Sequence, residues 1–261
     1  KFGVLQRKTL LEKGYRPDYT VGNGGVEFDW TGFDRKLKIY LTGEAFTGKY
    51  GYEGPGEGEP LEYLLLPFNI PESRGWWHLD HPESETTEVY RSFYAEGIKK
   101  VRAHILPLVN TTNTRRIVFL NGLDESSDER SQRRMLFYGE LFRENFPEAK
   151  FRIDGGYSAE AMQKLKAVVD IWCCHSISYN TEKIENLRKQ GVEDWFYGPL
   201  LYENWKNSWC GSITFLDLEI NHDRAASWIA FKYGAASWAS WGIFQNWKSA
   251  WDNPETFKNY Y

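Results

Sequence analysis

The stretch from Arg116 to Trp172 reads RIVFLNGLDESSDERSQRRMLFYGELFRENFPEAKFRIDGGYSAEAMQKLKAVVDIW. Ile117 to Leu123 is a dense apolar run of strand length. Ser126 with Glu129 three residues on forms a capping box, which opens a helix carrying Met135, Leu136, Leu141 and Phe142 at helical spacing. Phe151 to Ile153 is a second strand, Ser158 to about Leu165 a second helix, and Val168 to Trp172 a third strand. Short apolar runs without polar alternation are what strands covered on both faces look like. Their alternation with helices predicts βαβ units and a parallel sheet.

The same rhythm continues outward. A helix over Asn180 to Gln190 ends at Gly191, Trp195 to Tyr197 and Trp238 to Phe244 are strands, and His222 to Tyr233 is a helix closed by Gly234. Upstream, Val89, Tyr90, Phe93, Tyr94, Gly97, Ile98, Val101 and Ile105 keep a three-four spacing that predicts a long helix. Leu61 to Phe68 reads as a strand, Trp30 to Leu41 as a helix ended by Gly43, and Pro17 to Val21 as a short extended segment. Lys1 to Lys13 is amphipathic, and the acidic, glycine-rich Gly48 to Pro60 reads as a long loop. These strands and helices predict a single domain over residues 1–261, a (β/α)₈ barrel, with a doubly wound sheet as the alternative.

Composition narrows the partners. With 32 Lys and Arg against 36 Asp and Glu, the net charge of −4 offers no basic excess for phosphate backbones, which disfavours a nucleic-acid partner. No run approaches the ~18 apolar residues of a membrane span, and no signal peptide is visible. The three cysteines include the adjacent Cys173 and Cys174, a poor disulfide geometry, and buried thiols are the plain reading. His78, Asp80 and His81 lack a further ligand at metal-site spacing, so neither a metal nor a cofactor is expected. Asn110-Thr111-Thr112 is a glycosylation sequon.

Ligand sites in parallel α/β architectures lie beyond the carboxyl ends of the strands. There, after the Ile117 to Leu123 run, stand Asp124 and Glu125, whose side chains leave the backbone in different directions and so suit different tasks on one substrate. Their plain alternative is to favour the positive end of the following helix. The 12 Trp, 16 Tyr and 16 Phe supply flat faces of the kind that pack against sugar C–H surfaces. Trp76, Trp77, Tyr197, Tyr202, Trp205, Trp209, Trp241, Trp247 and Trp251 stand after strands or in loops, whereas Trp172, Trp195, Trp228 and Trp238 read as core. Arg224 either pairs with a site carboxylate or is solvated. Cys174 beside His175 is the one sequence-adjacent thiol and imidazole.

The segments FDWTGFDRKLKIYLTGEAF (Phe28–Phe46), RIVFLNGLDES (Arg116–Ser126), VDIWCC (Val169–Cys174) and Asp223 to Trp247, with Trp195-Phe196-Tyr197 between the last two, resemble the catalytic domain of glycoside hydrolase family 123. The resemblance implies a barrel that hydrolyses β-linked N-acetylgalactosamine with retention. The mechanism it implies is substrate-assisted, the sugar's 2-acetamido oxygen replacing an enzyme nucleophile. Carried over, Asp124 orients and stabilises the acetamido group, and Glu125 protonates the leaving oxygen. Tyr197, Trp241, Trp247, Arg224 and Trp77 would bind the sugar. Ser126 departs from the family's Pro after the acidic pair. A glycan or glycoconjugate substrate further implies extracellular or periplasmic residence.

Two other readings stand beside this one. A glycosidase for another sugar would use an enzyme nucleophile such as Glu219 or Asp170, and a carbohydrate-binding module would keep the aromatics without catalysis. The seven strands counted, and an opening that matches the family's first helix, predict a barrel lacking its first strand, the C-terminal portion of a longer enzyme with an upstream β-sandwich.

Overall fold

The computed structural model describes residues 17–22, 25–54, 56–61, 63–66, 87–110, 116–120, 128–155, 158–175, 180–197, 202–203, 209–210 and 228–239. Strands β1 (Asp18–Gly22) and β2 (Gly25–Asp29) form an antiparallel hairpin, and helix α1 (Thr31–Leu41) follows. Gly43, at φ 80°, lets the chain turn sharply after α1. An added Cβ there would fall 2.2 Å from the Gly58 carbonyl oxygen, so the expected loop after Gly48 folds back on this turn.

Six parallel strands form the main sheet: β3 (Tyr63–Leu66), β4 (Arg116–Leu120), β5 (Ala149–Gly155), β6 (Ile171–His175), β7 (Glu193–Tyr197) and β10 (Ser237–Ala239), adjacent in that order. Helices α2 (Glu88–Asn110), α3 (Glu129–Asn145), α4 (Ala159–Leu165) and α5 (Thr181–Arg188) lie between them in sequence. Two short strands, β8 (Tyr202–Glu203) and β9 (Trp209–Cys210), pair antiparallel outside this sheet. No helix among the described residues is long and apolar enough to cross a membrane.

Among the described residues the expected eight-stranded barrel is not formed, and the sheet is open, with β3 and β10 at its two edges. The doubly wound alternative also fails, because the described strands run in sequence order without the reversal that such a sheet requires. Strand-helix alternation specifies parallel neighbours and right-handed crossovers. Closure needs a matching tilt and stagger across the last pair of edges, which alternation does not encode.

The core forms where the helices meet one face of this sheet. Phe151 and Ile153 of β5, with Trp172 and Cys174 of β6, are buried with Met135, Tyr138 and Phe142 of α3, Met162 and Leu165 of α4, and Ile184 and Leu187 of α5. Gly139 brings α3 closest: a Cβ there would meet Val168 Cβ at 2.6 Å and Phe151 Cδ1 at 3.1 Å. Helices α2 and α3 are joined by the Tyr90 and Tyr138 hydroxyls at 2.8 Å, and Tyr94 meets the Tyr138 ring edge-on at 5.1 Å. The hairpin docks on α2. Lys100 Nζ donates to the Val26 carbonyl at 2.8 Å, and His104, bonded to Asp34, stacks on Trp30 at 4.1 Å.

Several local expectations shift. Helix α3 is capped by Asp128, whose carboxylate accepts from Ser131 N at 3.0 Å and Ser131 Oγ at 2.7 Å, so the Ser126 capping box is superseded. The third strand runs from Ile171 rather than Val168, because Lys166 to Val168 complete the turn out of α4, with Val168 N donating to Leu165 O. Trp228 was expected in the core and is 72% exposed. It shares a helix face with the exposed Phe231, three residues on, in the helical segment 228–233.

Candidate functional site

The carboxyl ends of β4 to β7 and β10 lie along one edge of the sheet, where an open α/β sheet receives its ligand. Of the residues expected there, Tyr197 closes β7 and is in register with His175 of β6 and Ala239 of β10. Asp124, Glu125, Arg224, Trp77, Trp241 and Trp247 lie outside the described residues. The segment bearing the acidic pair is bracketed by Leu120, which ends β4, and by the cap residue Asp128 of α3. Glu219 also lies outside the described residues.

A constellation not expected from the sequence occupies the sheet face turned away from the helices. Residues alternate sides along a strand, so Arg152 and Asp154 of β5 share a face with Cys173 of β6 and Trp195 of β7, which the register aligns across the three strands. Arg152 Nε and Nη2 donate to the two oxygens of Asp154 at 2.8 and 3.0 Å, a bidentate pair. The Arg152 guanidinium lies over the Trp195 ring, 5.1 Å from its centroid, and Trp195 Nε1 donates to Glu193 at 2.8 Å. Trp195 is therefore buried, as expected, but on this polar face rather than in the helix-covered core.

Asp154 retains 18% side-chain exposure at the next-to-last position of its strand. An ionised carboxylate offers about four acceptor positions, of which Arg152 fills two. The remainder suit further donors, and the Cys173 thiol is one. Burial pushes the neighbouring Cys173 thiol far up, and the Asp154 charge pushes it the same way. Cys173 is thus a neutral donor towards Asp154. The signal in the sequence was the alternation Phe151-Arg152-Ile153-Asp154, charged on every second residue. Reading Phe151 to Ile153 as one apolar run obscured it.

Other candidates are set aside by geometry. Cys174 lies on the helix-covered face, and burial pushes its thiol up to about 12, opposed by Lys183 and reinforced by Asp194. At neutral pH it is not the thiolate that nucleophilic catalysis requires. Asp170 sits at the opposite, amino end of β6, where its carboxylate accepts from Phe151 N at 2.9 Å and is flanked by Arg143 and Lys150. Its backbone also binds Phe151 O and Glu193 N, so its work is to align three strands. No group of three or more metal-binding side chains gathers among the described residues.

The chain matches no protein-family model and no curated protein.

Proposed function

We propose that this protein is a retaining β-N-acetylhexosaminidase: the reaction is substrate-assisted, with no enzyme nucleophile, and the sugar is of the N-acetylgalactosamine type. The observation that carries the proposal is the placement of Asp124-Glu125 in sequence between the carboxyl end of β4 and the Asp128 cap of α3. The neighbouring strand β5 carries the Arg152-Asp154 pair towards its carboxyl end, beside Trp195. A carboxylate with acceptor positions beyond its arginine partner, near the carboxyl ends of the strands, is a kind of group that carbohydrate recognition uses.

In the proposed reaction the acetamido carbonyl oxygen attacks the anomeric carbon while Glu125 gives its proton to the departing glycosidic oxygen. Asp124 holds the acetamido N–H and balances the positive charge of the cyclic intermediate. Glu125, now a carboxylate, takes a proton from water as that water opens the ring, and two inversions give net retention. Tyr197, Trp77, Trp241, Trp247 and Arg224 complete the sugar subsite in this reading. The resemblance to glycoside hydrolase family 123 supports it, as does the amino-end position of Asp170, which weighs against a conventional nucleophile there.

The test is hydrolysis of intact glycans and aryl N-acetylhexosaminides, with the product anomer read by NMR. Glu125→Gln is expected to lower turnover on glycans roughly 10²- to 10⁴-fold, and much less on nitrophenyl glycosides, whose leaving group needs no proton. Full activity of both Glu125→Gln and Asp124→Asn on a natural glycan would remove this assignment.

A further inference from the structure

A second feature lies in the helix layer, away from the polar sheet face. Helix α3 overhangs the start of α2: Tyr90, in the first turn of α2, meets Tyr138, which is about two and a half turns into α3. The step between them holds a cavity of about 500 Å³. Glu88 and Arg91 line it from α2, and Arg130, Arg133, Arg134 and Phe137 line it from α3.

Four of the lining residues are therefore arginines and one, Glu88, is acidic, while Glu144 and Glu129 stand beside Arg91 and Arg133. Arg91 is steered by Glu144, which accepts from its Nη2 at 2.9 and 2.8 Å, and its guanidinium carbon lies 5.7 Å from the Phe137 ring centroid. Arg133 contacts Glu129 only at 3.8 Å, and both side chains are exposed, a pairing of little strength. Arg134 is 7% exposed, its guanidinium carbon 5.8 Å from the Tyr138 ring centroid. Charge on so buried a side chain interacts strongly with an opposite charge. Arginine forks match the oxygens of phosphate and sulfate, and the opening turns of α2 and α3 add their positive ends.

We infer that this cavity binds a tetrahedral oxyanion, phosphate or sulfate, either free or as an ester on a larger molecule. The four arginines supply the donors and Phe137 an apolar wall.

Calorimetry on the full chain at low salt tests this with four probes: inorganic phosphate, inorganic sulfate, a sulfated oligosaccharide and its desulfated form. Saturable binding of at least one oxyanion probe is expected, with a Kd below about 1 mM. Arg130→Gln/Arg133→Gln should weaken it roughly tenfold or more, whereas Lys164→Gln, which removes a charge on α4, should leave it unchanged. Arg130 and Arg133 are exposed, so the variant is expected to fold; circular dichroism checks this, and Arg130→Gln alone serves if the pair does not. Tighter binding of the sulfated oligosaccharide than of inorganic sulfate identifies an ester ligand, and equal binding identifies the free ion. No saturable binding of any oxyanion probe, or equal affinity in the arginine variant, overturns the inference. The readout needs no turnover, so it stands or falls separately from the hydrolase.

Discussion

Cys173 and Cys174 are consecutive buried thiols, yet they belong to opposite faces of one sheet. Cys174 joins Trp172, Phe151 and Ile153 beneath the helices, where ring and chain packing closes the space. Cys173 lies beside Asp154 and Arg152, where burial surrounds charge. A one-residue slip of β6 would exchange the two environments, placing Trp172 against the ion pair. Strand register here therefore separates a face that packs under the helices from a face that carries polar groups near the carboxyl ends of the strands.

The largest expected effect is on the apolar side. Trp172→Ala removes a fully buried ring and its Nε1 hydrogen bond to Gly155 O, and should cost about 3–5 kcal/mol in denaturant unfolding. A cost below about 1 kcal/mol would mean that this face does not hold the fold together.

Alkaline pH tests the same side through Cys174. Its folded value of about 12 lies above the ordinary thiol value of 9.0, so the neutral thiol is favoured in the folded state. Its contribution is whole below about pH 9 and is lost as pH rises towards 12. The stability difference between the parent protein and Cys174→Ala should therefore shift in favour of the variant by up to roughly 4 kcal/mol at pH 12. Parallel stability curves for the two proteins would exclude a buried neutral thiol.

The smallest effect is on the polar face. Arg152→Ala leaves the Asp154 carboxylate partly buried without its fork and should cost about 1–3 kcal/mol. Adding Asp154→Asn should recover part of that loss in a double-mutant cycle. Strictly additive losses would show that the two side chains stabilise the fold independently.

The helices were legible because their signals are local. The spacing from Val89 to Ile105 gave α2, and Ser158 and Asn180 cap α4 and α5 through Ala161 N and Lys183 N. Two local signals compete at the start of α3: Ser126-x-x-Glu129 has the form of a capping box, but Asp128 makes two bonds to Ser131. The second strand of the β1–β2 hairpin was not legible, because only Pro17 to Val21 stands out as extended, while Val21 pairs with Val26 of β2. Closure of the sheet was not legible, since it is a property of distant edges. The Arg152-Asp154 pair required knowing which strand face the described helices do not pack against.

Gly139 sets a limit on variation in this chain. With Val168 and Phe151 already at the distance of a missing methyl group, the position has no room for the smallest side chain without displacing α3 from β5. Helix α3 carries the Asp128 cap at one end and three of the cavity arginines along its opening turns. A neutral-looking surface change on that helix is therefore open to drift, whereas this one glycine fixes how far the whole arginine-bearing element stands from the sheet.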